Sequence, residues 1–236
     1  MKNKNSFFIT STGTEIGKTF ITVKIIDYLI EKRFSVEAYK PVLSGFNNKN
    51  IKQADSAKLL NAMRKNVSMK NIRNITPWLF KKPLAPSIAA KYEKKSLSYK
   101  ALIKWCIGKQ KSSLSQYVLF EGAGGVMVPL QKKNTFVDLF NDIKTPVLLV
   151  AGSYLGTISH TLSAVEALEN KNVEIINIIL NEGRKEDKTY SENFSLLKNS
   201  IRSRIIVRPF SYNSNLHDKQ INLIANDIIK YFKKLA

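Results

Sequence analysis

Six short, mostly apolar runs punctuate the chain, and between them apolar residues recur at helical spacing. The runs are Phe7–Thr10, Val36–Lys40, Tyr117–Glu121, Val147–Ala151, Ile175–Leu180 and Ile205–Val207. Runs this short and this apolar suit strands covered on both faces, as in a parallel sheet. The spans between them repeat apolar residues about one turn apart, as at Ile21, Ile25 and Leu29, which predicts amphipathic helices. Helices are expected at Lys18–Lys32, Gln53–Met63, Tyr99–Gln110, Val137–Asn141, Ile158–Asn170, Lys188–Arg202 and His217–Lys234. This alternation predicts an α/β fold, a mostly parallel sheet flanked by crossover helices on both faces. Lys65–Asn74 is polar and turn-like, and Pro77, Pro83 and Pro86 interrupt any helix there. The stretch 66–95 is therefore expected to be an irregular excursion near the active face. Residues 1–236 then make one domain, which is economical for 236 residues.

The polar clusters have a common address. Thr10–Thr19 follows the first run, Lys40–Gly45 the second and Glu121–Gly125 the third. Gly152–His160 follows the fourth, Asn181-Glu182 the fifth and Arg208-Pro209-Phe210 the sixth. Open parallel sheets bind ligands beyond the carboxyl ends of their strands. Six such ends on one rim predict a site there.

Phe7–Thr19 reads as a buried strand, a tight polar turn, and Gly17-Lys18-Thr19 opening a helix. That order describes a phosphate-binding loop, in which backbone N–H groups converge on an anion. Lys18 adds charge for the outer phosphates, and the Thr19 hydroxyl can hold Mg²⁺. The usual first glycine of the motif would fall at position 12, which is Thr. Glu121 ends a buried run, where a carboxylate beside a phosphate loop binds Mg²⁺ directly or through water. Gly122, Gly124 and Gly125 then allow close backbone approach to phosphate or substrate. Asp55 has two readings, helix capping or dipole pairing on the one hand and a second Mg²⁺ ligand on the other. So has Lys40: a holder of developing negative charge, or one more surface lysine. Glu15 lies among the phosphate-binding residues, where a carboxylate is unwelcome. It is expected to meet a cation or cap a backbone N–H. His160 and His217, the only histidines, have no zinc-ligand spacing.

The formal net charge of +20 invites a nucleic-acid reading. The lysines are scattered, however, and accompany a general richness in Asn and Ile. Solvated lysine faces are favoured over a nucleic-acid groove, with the excess charge helping to attract nucleotides. The single cysteine, Cys106, sits on an apolar helix pattern and is expected to pack in the core, which fits a reducing cytosol. No apolar run reaches the ~18–20 residues that span a bilayer. The first residues lead into only three apolar positions, too few for a signal-peptide core. The expectation is a cytoplasmic protein without membrane or nucleic-acid partners.

Five segments in order, Phe8–Thr19, Tyr39–Gly45, Pro83–Ser87, Leu119–Gly125 and Leu155–Thr161, together resemble the dethiobiotin synthetase family. A weaker match falls at Arg208-Pro209-Phe210. The resemblance implies a homodimeric P-loop ligase that joins 7,8-diaminopelargonate and CO2 into the ureido ring of dethiobiotin at the expense of ATP. One amine would capture CO2 as a carbamate, and ATP would convert this to a carbamic-phosphoric anhydride. By motif position, Thr14, Glu15, Ile16, Gly17, Lys18 and Thr19 would bind the nucleotide, with Gly122 and Gly124 beside them. Thr19, Asp55 and Glu121 would hold Mg²⁺. Lys40, with Lys18 and Thr14, would carry the chemistry. Lys40, Ser44, Gly124 and Gly125 would contact substrate, and Asn181 with the backbone around Pro209 would recognise adenine. Ser159 would reach the substrate carboxylate across the dimer. Three positions depart from the family pattern: Ser11 for a loop glycine, Ser87 for a histidine, and Ser159 for an asparagine. The chemistry needs no nucleophilic side chain, because the substrate brings its own amines. The competing classes are a ParA/MinD-like partitioning or scaffold ATPase and a cobyric-acid-type ligase. The first usually carries an early loop lysine, where this chain has Ser11-Thr12-Gly13. The second usually carries a glutaminase domain, for which 236 residues leave no room.

Overall fold

The computed structural model describes residues 5–183, 186–201 and 204–235. In chain order the elements are β1 (Asn5–Ser11), α1 (Lys18–Glu31), β2 (Val36–Tyr39), β3 (Val42–Leu43), α2 (Asp55–Ala62), α3 (Met69–Ile75), β4 (Trp78–Leu79), α4 (Pro86–Tyr92) and α5 (Tyr99–Ser112). They continue with β5 (Tyr117–Glu121), β6 (Pro129–Gln131), β7 (Asn134–Thr135), α6 (Phe136–Asp142), β8 (Val147–Gly152), α7 (Thr157–Glu169), β9 (Ile175–Asn181), α8 (Tyr190–Ser200), β10 (Ile206–Phe210) and α9 (His217–Lys234). All six strands expected from the apolar runs are present and form one sheet, ordered β10-β9-β8-β1-β5-β2. Every neighbouring pair in it is parallel. The chain leaves β1 to build one side of the sheet and later returns to build the other. β1 therefore marks the switch point, where a crevice opens at the carboxyl ends.

Adjacent residues of β1 show why both faces are covered. Successive strand side chains point to opposite faces. The Phe7 ring lies 6.0 Å from Phe232 of α9. Phe8 instead meets Phe140 of α6 at 4.9 Å and stacks on Phe120 of β5 at 5.0 Å. Phe7, Phe8 and Ile9 are wholly buried, as the apolar run requires.

The stretch 66–95 is more regular than expected. It contains α3, α4 and β4, which pairs with β3. Ser68 caps α3 by accepting the Asn71 N–H at 3.2 Å, and the helix buries Ile72 and Ile75. Pro86 does not interrupt a helix but begins one, at a first-turn position where its missing N–H costs nothing. Smaller differences are at boundaries. A 3₁₀ turn at Ile51–Gln53 precedes α2, so the helix begins at Asp55 rather than Gln53. The last strand runs on to Phe210, and α8 starts at Tyr190 rather than Lys188. The expected end of that helix, Arg202, lies outside the described residues, as does the amino-terminal segment 1–4. Cys106 is buried in α5, and burial pushes its thiol pKa upward, away from reactivity. Among the described residues, no helix is long and apolar enough to cross a membrane.

Candidate active site

The loop between β1 and α1 is shaped by a few specific contacts. Gly17 caps α1 with a left-handed φ of 89°. A Cβ there would collide with the Asn181 side-chain amide, and the left-handed φ itself favours glycine. That amide in turn donates to the Ile16 carbonyl at 2.9 Å, tying the end of β9 to the phosphate loop. Glu15 also holds a left-handed φ of 60°, and its side chain is exposed. Thr12, at the usual glycine position, donates its N–H to the Val150 carbonyl. Its buried hydroxyl has no hydrogen-bond partner among the described residues.

Ser11, the first departure from the family pattern, is completely buried at the end of β1. Its hydroxyl accepts a hydrogen bond from Lys18 Nζ at 2.8 Å. It lies 2.6 Å from the Gly13 carbonyl and 3.0 Å from that of Gly124. Lys18 also donates to the Gly13 carbonyl at 3.1 Å. Burial first, and the charge of Lys40 second, pull the Lys18 pKa down to about 8. Where the family pattern has a loop glycine, this serine adds a hydroxyl that engages Lys18. A hydroxyl two residues ahead of Gly13 was the one available signal.

Sheet register assembles the charged centre. β2 and β5 pair with Tyr39 opposite Phe120, so the next residues, Lys40 and Glu121, emerge side by side. Lys40 is 3 % exposed and Glu121 1 %, which excludes the surface-lysine alternative. Lys40 Nζ donates to Glu121 Oε1 at 2.6 Å and lies 3.1 Å from Asp55 Oδ2. The Thr19 hydroxyl donates to the same Glu121 oxygen at 2.7 Å. Burial alone would lower the Lys40 pKa, but Glu121 and Asp55 outweigh it and the net shift is upward. Burial likewise opposes ionisation of Asp55, yet Lys40 holds its pKa below the ordinary value. Asp55 opens α2 but caps nothing, since Ala54 is the N-cap and makes no side-chain bond. Its carboxylate stands in the first turn of α2, where it pairs with the helix dipole, and also at the charged centre beside Lys40.

Thr19, Asp55 and Glu121 thus present a hydroxyl and two carboxylates, hard oxygen donors of the kind Mg²⁺ takes. Among the described residues, Glu121 Oε2 is buried without a hydrogen-bond partner, an acceptor left over for a cation. The residues fit the ion. Among the described residues there is no group of three His, Cys, Asp or Glu side chains that could hold a metal, so phosphate oxygens and water would complete the shell.

The glycine loop after β5 packs closely on the phosphate loop. Gly124 has φ 71°, and a Cβ there would meet Val128 Cγ2 at 2.8 Å. At Gly125 a Cβ would approach the Thr12 carbonyl to 3.0 Å, and Val126 donates its N–H to the Ser11 carbonyl. The Lys40 ammonium reaches the Gly122 carbonyl at 3.4 Å. Ser44 has a buried hydroxyl with no hydrogen-bond partner among the described residues. Its neighbour Gly45 turns with φ 76° and bonds to the Lys82 carbonyl. The remaining residues expected in the site lie on other strand ends. Pro209 is on the edge strand β10, opposite Leu180. Ser159 is exposed in the first turn of α7, beyond β8. His160 Nδ1 lies 2.9 Å from the Tyr154 hydroxyl, and His217 stacks on Phe210 at 4.6 Å.

Residues 5–212 match a family profile described as an AAA domain. The chain is 37 % identical over 182 residues to the ATP-dependent dethiobiotin synthetase BioD of Methylobacterium nodulans, covering 75 % of this chain and 81 % of that protein. It is 29 % identical over 212 residues to the protein of the same name from Legionella pneumophila, covering 90 % and 96 %. Among solved structures, the fold is similar to the MinC:MinD cell division protein complex of Aquifex aeolicus, with TM-score 0.57, 14 % identity and coverage of 97 % and 95 %. A putative plasmid partition protein from Borrelia burgdorferi aligns over the full length of both chains, with TM-score 0.56 and 14 % identity. At that identity the structural likeness concerns the fold alone.

Proposed function

We propose that this chain, which belongs to the ATP-dependent dethiobiotin synthetases, closes the ureido ring of dethiobiotin on 7,8-diaminopelargonate. The enzyme is an ATP-dependent ligase of biotin biosynthesis. The finer reading is the path of the reaction and the residues that carry it. One substrate amine attacks CO2 and loses a proton, giving a carbamate. A carbamate oxygen attacks the γ-phosphorus, the bond to ADP breaks, and a carbamic-phosphoric anhydride forms. The second amine then attacks the anhydride carbonyl, loses a proton, and expels phosphate as the ring closes.

Positioning and charge neutralisation supply the catalysis. The nucleotide phosphates lie in the cradle of residues 14–19, where Lys18 turns from the Ser11 hydroxyl and Gly13 carbonyl to the outer phosphates. Lys40 faces the carbamate and the transferring phosphoryl oxygens, with the free Ser44 hydroxyl and the backbone of Gly124 and Gly125 on the substrate side. Asn181 and the backbone around Pro209 receive adenine. Thr19, Asp55 and Glu121 would hold Mg²⁺, which when bound neutralises charge on the phosphates. Residues 1–236 act as one domain, and two copies pair so that Ser159 meets the partner's substrate carboxylate.

The observation that carries this reading is Lys40, wholly buried yet held at 2.6 Å from Glu121 and 3.1 Å from Asp55 beside the phosphate loop. A buried cation at that place has a use in neutralising a carbamate and a transferring phosphoryl group. The test is isotopic. With C¹⁸O2, diaminopelargonate and Mg-ATP, ¹⁸O passes into the released phosphate if a carbamate oxygen attacks phosphorus. Unlabelled phosphate accompanying labelled dethiobiotin overturns the anhydride path.

A further inference from the structure

The segment Phe210–Tyr212, which follows Pro209, is held by an uncommon number of side chains. The Tyr190 hydroxyl, from the first turn of α8, donates to the Leu180 carbonyl at 2.8 Å and accepts the Phe210 N–H at 2.7 Å. It thus sits between β9 and β10 at the carboxyl end of their pairing. The next residue of β9's exit, Glu182, donates its N–H to the Phe210 carbonyl at 2.9 Å. Its carboxylate accepts the Tyr212 N–H at 2.6 Å through one oxygen and the Asp187 N–H at 2.9 Å through the other. Ser211 is fixed as well: its N–H donates to Gln220 Oε1 at 3.0 Å, and its carbonyl lies 3.0 Å from His217 Nε2. Backbone groups from Phe210 N to Tyr212 N are therefore all engaged. The turn beside Asn181 is a rigid strap, while Asn181 itself buttresses the phosphate loop.

We infer that Tyr190 and Glu182 form a clasp that presets this strap to receive the nucleotide base, making them positioning residues for ATP recognition. The inference rests on the proposed adenine site at Asn181 and Pro209. Neither side chain touches the base; each acts through the backbone it holds. A strap ordered in advance spares the base the entropic cost of ordering it on binding, so the clasp contributes to affinity for ATP and to its choice over other nucleoside triphosphates. Tyr190 also explains itself chemically. Burial pushes its phenol pKa upward, so it remains a neutral donor and acceptor, the pairing that a carbonyl and an N–H require.

The test compares wild type, Tyr190→Phe and Glu182→Gln by steady-state kinetics with ATP and GTP, and by calorimetric binding of Mg-AMPPNP without the other substrates. Tyr190→Phe leaves a carbonyl and an N–H without their shared partner, and about a 10-fold rise in the ATP KM and the AMPPNP Kd is expected. The diaminopelargonate KM and kcat change less than about twofold, and the preference for ATP over GTP narrows. Glu182→Gln keeps an amide oxygen for one of its two N–H donors and is expected to show a smaller shift of the same kind. It serves as the decisive variant if Tyr190→Phe does not fold. A lowered melting temperature with unchanged ATP KM and AMPPNP Kd in the folded variants overturns the inference, as does an equal rise in both substrates' KM. Failure of the wild type to form dethiobiotin would instead fault the proposed reaction, while the AMPPNP measurement still judges the clasp.

Discussion

Replacing Lys40 by Met keeps most of the apolar stem and removes the ammonium. Among the described residues, Glu121, at 1 % exposure, is then left with the Thr19 hydroxyl at 2.7 Å, while Asp55 remains partly open to solvent and keeps Lys58 at 3.5 Å. Removing one member of a buried ion pair costs about 3–5 kcal/mol. Partial exposure of Asp55, which keeps a second lysine beside it, places this case near the lower end. For a chain of this size, about 3 kcal/mol corresponds to a fall in Tm of roughly 6–12 °C. Turnover should fall about 10²–10³-fold, the scale for losing one preorganised charge-stabilising group. Thermal melts without nucleotide, together with dethiobiotin assays, read both effects. A Tm within about 2 °C of wild type would deny that the pair is buried and coupled. Near-normal turnover would show that Lys40 does not face the reacting oxygens.

Three further outcomes follow from the proposed site. Gly17→Ala places a Cβ against Asn181 at φ 89°, with about 1–3 kcal/mol of strain; ATP affinity should fall by tenfold or so, and unchanged affinity would contradict the loop's role. Lys18 releases its proton near pH 8 in the folded protein and at 10.5 as an ordinary lysine, so kcat/KM for ATP should decline above about pH 8. In that same window the unfolded state holds more protons, so Lys18's contribution to stability rises with pH; a flat kcat/KM profile there would remove Lys18 from phosphate binding. Ser159→Ala should raise the diaminopelargonate KM by about 10–100-fold, the value of one charge-assisted hydrogen bond, with the ATP KM unchanged; a fully active enzyme that sediments as a monomer would refute the shared site.

The strands β1, β5, β8 and β9 were legible because each is a run buried on both faces, and the phosphate loop because its residue types are dictated by its chemistry. The stretch 66–95 was less so. Helices α3 and α4 have seven residues each, too few for a periodic signature, and Pro86 reads as a breaker unless its first-turn place is known. For the site, the sequence could set Lys40 and Glu121 at strand ends but could not join them. Their pairing depends on β2 lying beside β5 with Tyr39 opposite Phe120, a register no local pattern encodes. The Ser11 bond to Lys18 and the Tyr190 contacts were hidden for the same reason: each hydroxyl matters only through a group brought to it by folding.

Product formation tests the central claim most directly. Purified protein supplied with 7,8-diaminopelargonate, bicarbonate and Mg-ATP should form dethiobiotin, with one ADP and one phosphate released for each ring closed. Hydrolysis of ATP stimulated by DNA, with no dethiobiotin formed, would contradict the account and point to a partitioning ATPase on the same fold.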